Sequence, residues 1–284
     1  FFAEKSLTSL NDVFDFLVMK MFTLFSNCDD SDIKELIEKF FSLLFTHFAE
    51  DKFKGYYDNI IKIINSNNGN NAIFIFALNM MIIMSNHLFS FITKSKDELM
   101  KSLLKIVTSH NKKFKKEIDD KLDTEGEVVN VEISDEWKIL YLSYVIIEKL
   151  INNYAIVLSS SMIKQISIST SHPHTFIKSI SLRLLSLSSS LTDSDINIDA
   201  LLLQIKHIVM STNFDDALVS TSIDVVDKVA NHKDNVLAIS SLMISMCNES
   251  KKWISNKTNG VVIINRVLDV YEKIIDDIRN DITK

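Results

Sequence analysis

The sequence predicts an all-α chain, on three observations. Breakers are scarce: four glycines and one proline serve 284 residues, whereas a sheet protein rich in tight turns, or a nucleotide-binding α/β fold, uses far more of both. Hydrophobic residues make up 46% of the chain, enough for a large core. They recur at three- and four-residue steps, the period of a helix that buries one face.

In chain order the apolar patterns place helices near 5–26, 31–48, 55–65, 71–92, 95–110, 135–151, 155–170, 173–189, 196–211, 214–230, 234–247 and 261–280. The segment DDSDIKELIEKFFSLLFTHF opens with carboxylates that suit a helix N-terminus. It then steps Ile33, Leu36, Ile37, Phe40, Phe41 and Leu44 along one face. SDEWKILYLSYVIIEKLI and DALVSTSIDVVDKVA repeat that design. Between 71 and 92 there is no charged residue, and the stretch is long enough to span a bilayer. Asn79, Ser85, Asn86 and His87 interrupt it, and no Trp or Tyr marks its ends, so burial among other helices is the reading we adopt.

The helices pair at about 40 residues per pair, the period of stacked helical hairpins. We therefore expect a HEAT/armadillo-like α-solenoid; a compact bundle is the rival, but a dozen helices exceed a simple four-helix design. NKKFKKEIDDKLDTEGEVVNVEIS, with mixed charge and Gly126, reads as an exposed loop. The expected organisation is helical repeats over 1–110, a charged loop over 111–134 and continuing repeats over 135–284.

SHPHTFIKSISLRLLSLSSS holds the single proline between two histidines. Ser171 or His172 is the expected N-cap, with Pro173 in the first turn, where its missing N–H costs nothing. Phe176, Ile177, Ile180, Leu184 and Leu187 should then face the core. Phe176→Ala is expected to cost about 3–5 kcal/mol on that reading. A metal at His172 and His174 would need two further ligands, and none stands nearby at ligand spacing. No metal or other cofactor is expected.

These residues carry a resemblance. SHPHTFIKSISLRLL, with His172, Pro173, His174, Phe176, Lys178 and Arg183, resembles a helix in the C-terminal HEAT-repeat region of the Utp-twenty (down-regulated-in-metastasis) family. EWKILYLSYVIIEKLI upstream, LLLQIKHIVMSTNFDDALVSTSIDVVDKVA downstream and LFSNCDDSDIKELIEKFFSLL near the start resemble further helices of that region in the same order. The similarity runs from about Leu24 to Cys247 and is densest from Glu136 to Lys206. The family's Trp is Phe176 here and its Val-Arg is Ile177-Lys178, changes that keep packing character.

The resemblance implies a non-catalytic scaffold of the small-subunit processome in the nucleolus. Its implied partners are pre-ribosomal RNA, the U-three small nucleolar RNA particle and other assembly factors, with no membrane and no small-molecule substrate. The alternative is a HEAT-type transport or trafficking adaptor that binds peptides.

Chemistry points the same way. There is no Gly-rich phosphate loop, no HExxH and no GxSxG, and a serine without a base and an orienter is only a polar residue, so no catalytic residue is expected. Cys28 and Cys247 form no CxxC and suggest a reducing compartment. Asn248 and Asn256 head glycosylation-type triplets that we read as chance matches. Phe1 in place of an initiator Met leads us to expect a piece of a longer protein.

A net charge of −6 argues against bulk attraction to nucleic acid. Lys101, Lys105, Lys112, Lys113, Lys115, Lys116 and Lys121 nevertheless form a basic run against Glu117, Asp119 and Asp120. That run is either an RNA contact or a solvated charged segment.

Overall fold

The computed structural model describes residues 28, 30–66, 71–122, 136–188, 191, 196–210, 216–230, 236–255 and 260–282, with helical residues 16, 20–21 and 23–25 before them. The chain is all-α, without strands among the described residues. Its helices are α1 (Ser31–His47), α2 (Lys54–Ser66), α3 (Asn71–Met84), α4 (Phe89–Leu122), α5 (Glu136–Tyr154), α6 (Ser160–Ser169), α7 (Thr175–Leu187), α8 (Ile198–Val209), α9 (Asp216–Ala230), α10 (Val236–Ser255) and α11 (Gly260–Ile282). A 3₁₀ turn, Glu50–Phe53, links α1 to α2. The expected helix over 5–26 falls largely outside the described residues.

Three expectations are corrected. The stretch 71–92 is not one helix: α3 stops at Met84 and the chain turns through Ser85–Leu88. There the N–H groups of Asn86 and His87 reach back only three residues, and the Ser85 hydroxyl donates to the Ile82 carbonyl at 2.7 Å. That leaves a 14-residue helix of roughly 21 Å, short of a ~30 Å hydrocarbon core. No helix among the described residues is long and apolar enough to cross a membrane.

The loop expected from 111 is helical as far as Leu122. The apolar ladder Leu99, Leu103, Ile106 and Val107 is buried, and Asn111 and Phe114 prolong it, so the helix keeps a packed face as far as Phe114. Residues 123–134 of that loop lie outside the described residues. Helix α6 starts at Ser160, not 155, because Ala155 takes a left-handed φ of 49° and closes α5.

The described residues divide into two compact units at places other than the charged segment. One takes in residues up to 106 and 136–150; the other takes in 107–122 and 151–282. In the first unit, α3 packs on both α1 and α2. It has no charged side chain and is buried nearly all round, with Phe76, Leu78 and Met81 sealed from solvent. Aromatic rings close the unit: Phe45 meets Phe53 edge-on at 4.7 Å, and Phe25 meets Phe76 at 5.0 Å.

In the second unit the helices form hairpins, α6 with α7, α8 with α9 and α10 with α11. They also pack across hairpins: α7 lies along α9 and α9 along α11, while α8 lies along α10. The buried positions repeat accordingly. Ile177, Ser181 and Leu184 of α7 correspond to Val219, Ile223 and Val226 of α9, and these to Ile263, Val267 and Val270 of α11, spaced by ~42–44 residues. Between α9 and α11, Lys273 Nζ reaches Asp227 at 3.0 Å, and Arg266 grips Asp224 and Ser220.

Phe53 is fully buried against Phe45. Phe53→Ala should therefore destabilise the protein by about 3–5 kcal/mol in chemical unfolding; a cost under about 1 kcal/mol contradicts this packing.

Candidate functional site

The histidine motif singled out by sequence sits at the link from α6 to α7, beside the C-terminal half of α4. Asn111 is buried there and fully paired. Its Nδ2 donates to the Gln165 carbonyl at 2.9 Å and to Gln165 Oε1 at 3.1 Å, and its Oδ1 accepts from the Ser169 hydroxyl at 2.8 Å. One turn further along α4, the Phe114 ring lies over His172, with centroids 4.7 Å apart.

His172 is 8% exposed. Its Nδ1 accepts the N–H of His174 at 3.1 Å, and His174 Nδ1 in turn accepts the N–H of Phe176 at 3.3 Å. Two neutral imidazoles thus satisfy the N–H groups of His174 and Phe176 at the mouth of α7, with Pro173 fixing the backbone between the two rings. The N-cap is His174, and not Ser171 or His172. The cause lies in α6: Thr170, Ser171 and His172 each donate their N–H three residues back, so they finish the preceding helix. Pro173 accordingly stands before α7 rather than in its first turn. No group of three or more metal-binding side chains occurs among the described residues.

Phe176 is the clearest correction. It is 57% exposed, while Ile177, Ile180 and Leu184 are buried. Ile177, Ile180 and Leu184 share one face, and Phe176, about 100° round the helix from Ile177, is left outside beside the His174 ring at 5.3 Å. Leu187, also expected in the core, is exposed. Lys178 is half-buried and Arg183 exposed.

Burial first, then the positive charges of His174, Lys178 and His110, lowers the pKa of His172 to about 4. Burial lowers His174 as well. Both shifts favour the neutral, acceptor form that the capping bonds require.

Of the lysines, Lys101 and Lys105 stand one turn apart on the exposed side of α4 in the first unit, and Lys112 and Lys113 are exposed neighbours in the second. Lys115, Lys116 and Lys121 belong to the same helix, their side chains lying outside the described residues.

A groove of about 680 Å³ opens between α6 and α8, with Phe114 on one wall and Ile168, Ile196 and Leu201 lining it. Its lining has no carboxylate, thiol or imidazole. The hydroxyls of Ser167, Thr170 and Ser171 are spent on carbonyls three residues back, at 2.7–2.9 Å. Such a lining can hold an apolar side chain and has no paired acid and base. Sequence reading missed this groove and the Asn111–Gln165–Ser169 cluster. The available signal was Phe114, a lone aromatic in a charged run and in helical phase with Val107 and Asn111.

Comparison with known proteins finds no matching family model, no matching curated protein and no matching solved structure.

Exposure sets one test. Phe176→Ala should change stability by less than about 0.5 kcal/mol, whereas Ile177→Ala should cost about 2–5 kcal/mol; chemical unfolding of the two variants checks the order.

A second test follows from His172. Its pKa in the folded state lies below the ordinary 6.5, so between about pH 6.5 and 4 the unfolded chain binds a proton that the folded chain refuses. Stability attributable to this residue is constant above that window and falls as pH falls through it. Relative to His172→Gln, the native protein should lose about 2–3 kcal/mol more between pH 7 and pH 4. Parallel stability profiles for the two proteins would disprove the buried neutral imidazole.

Proposed function

We propose that the chain is a non-catalytic α-solenoid segment serving as a scaffold of the small-subunit processome. In this reading it braces pre-ribosomal RNA, the U-three small nucleolar RNA particle and other assembly factors in the nucleolus. The observation that carries the proposal is the recurrence of one buried pattern through α7, α9 and α11, with α8 and α10 paired behind them. Helix pairs that each lean on the next are the building principle of HEAT-type arrays, whose extended surfaces hold several partners at once.

Three further points support it. The helix opened by His172, Pro173 and His174 resembles the Utp-twenty family's C-terminal repeats, and in this chain those residues act as a structural cap. The α6–α8 groove offers no paired acid and base. Lys112 and Lys113 are exposed on the part of α4 that continues into the charged run, as phosphate contacts need to be.

The groove favours the second reading, a transport or trafficking adaptor, since its apolar walls would suit a peptide side chain. RNA capture separates the two. The chain should co-purify with small-subunit precursor RNA. Replacing Lys112, Lys113, Lys115 and Lys116 together by Ala should weaken that binding and flatten its salt dependence by about 0.7–0.9 in log–log slope for each phosphate left without its lysine. Alanine keeps the helix, and the exposed charges of Lys112 and Lys113 contribute little to stability. Unchanged affinity and slope would remove RNA contact from this surface and leave the adaptor reading.

A further inference from the structure

In the second unit α8 lies along α10, whereas the groove of about 680 Å³ separates it from α6. The floor and walls of that groove are apolar. Leu201 is buried beneath it, and Ile168 on the α6 wall is 38% exposed. The Phe114 ring has His172 over it at 4.7 Å, yet it is only half-buried, and its open side lines the groove. An apolar occupant would complete the cover that His172 begins.

The rim has charge of one sign. Lys164 is the one charged residue of the lining among the described residues, and it is exposed. Asp199, in the first turn of α8, stands on the far side of that helix from Asn197, Leu201 and Gln204, at about 100° per residue. Asn197 Oδ1 accepts the Ala200 N–H at 3.0 Å, which leaves Nδ2 as a donor. The hydroxyls of Ser167, Thr170 and Ser171 already donate to carbonyls of α6. An ammonium and an amide N–H are therefore what the rim offers, and no carboxylate beside them repels an anion.

We propose that this groove docks a peptide segment of a partner protein in which apolar side chains are followed by carboxylates. Phe114, Ile168 and Leu201 take the apolar side chains. Lys164 stands at one end of the α6 wall, two turns from Ser171 at the other, so the carboxylates belong at one end of the peptide. A free lipid is disfavoured. Lys164 and Ser171 on one wall, and Asn197 and Ala200 on the other, are all exposed, so one side of the occupant stays in water. That suits a peptide backbone and not an alkyl chain. The inference rests on the adaptor reading of the groove, to which it gives a ligand chemistry, and is independent of the RNA reading.

The probe is a short fluorescent peptide with a leucine and a phenylalanine one helical turn apart, followed by two glutamates. The control ends in two lysines instead. By anisotropy with the full chain, the glutamate peptide should bind, and the lysine peptide should bind at least about fivefold more weakly. Lys164→Glu should reverse that order. Ala200→Trp should fill the groove and abolish binding, with thermal unfolding unmoved because Ala200 is exposed. Ile168→Asp, which sets a charge in the apolar wall, should abolish it from the α6 side. Equal binding of both peptides overturns the proposal and leaves a groove for uncharged sequences. No binding by either peptide, or binding that survives both Ala200→Trp and Ile168→Asp, overturns the adaptor reading of the groove together with the proposal. Binding of decanoate in place of the peptide, lost in Ala200→Trp, overturns it too and assigns the groove to a free lipid. Capture of precursor RNA should be unmoved by Ala200→Trp, so failure here and failure of the RNA reading are separate results.

Discussion

In the second unit a helix carries more apolar surface than one neighbour can cover. Helix α9 shows the arithmetic: Leu218, Val219, Ile223, Val225, Val226 and Val229 are all buried, and they point in too many directions for a single contact. Burying such a side chain contributes about 1.5–3 kcal/mol, against a net stability of only about 5–15 kcal/mol for a whole protein. Leaving one edge of α9 uncovered would therefore consume much of the margin. The hairpin partner α8 and the row neighbours α7 and α11 together meet the demand. Arg266 and Lys273 fix how α11 sits on α9, because Asp224 and Asp227 accept them from one edge only.

Close packing also bears on the buried serines. A row of close-packed helices needs small side chains, but a buried hydroxyl must find an acceptor. Ser143 and Ser222 solve this by donating to the carbonyl four residues back in their own helix, each at 2.8 Å. They can thus be buried without partners from another element. Ser181 and Ser188 are buried with no partner for their hydroxyls among the described residues. His172 and Asn111 take the other course, satisfying backbone and side-chain groups across the α4–α6–α7 junction.

How far the sequence could be read depended on the scale of the signal. Helix existence rests on periodicity summed over many residues, so α1, α2 and α5 through α11 stood near their expected places. Which edge of a helix is covered rests on its neighbours. Phe176 and Leu187 flank the Ile177–Ile180–Leu184 face, so apolar stepping counted them into the core although both are exposed. Charge misled at 111–122: Lys112 and Lys113, exposed on a helix, look like a loop when Asn111 and Phe114 are the side chains that pack beside them. The groove between α6 and α8 was not legible at all, because it is made by the distance between two helices and no residue type marks it.

Helix α3 has one further consequence, in the chemistry of ageing. Met80, Met81 and Met84 are sealed inside it, with at most 2% of each exposed. A thioether is a good space-filler there, but its sulfoxide is polar and has no place in such surroundings. While the first unit is closed, oxidants cannot reach these sulfurs; each opening exposes them together. An oxidised molecule cannot reseal the same core, so under oxidising conditions brief openings become permanent losses. The lifetime of this unit in air is then governed by how often it opens, and a reductase able to restore methionine would act as part of its folding machinery.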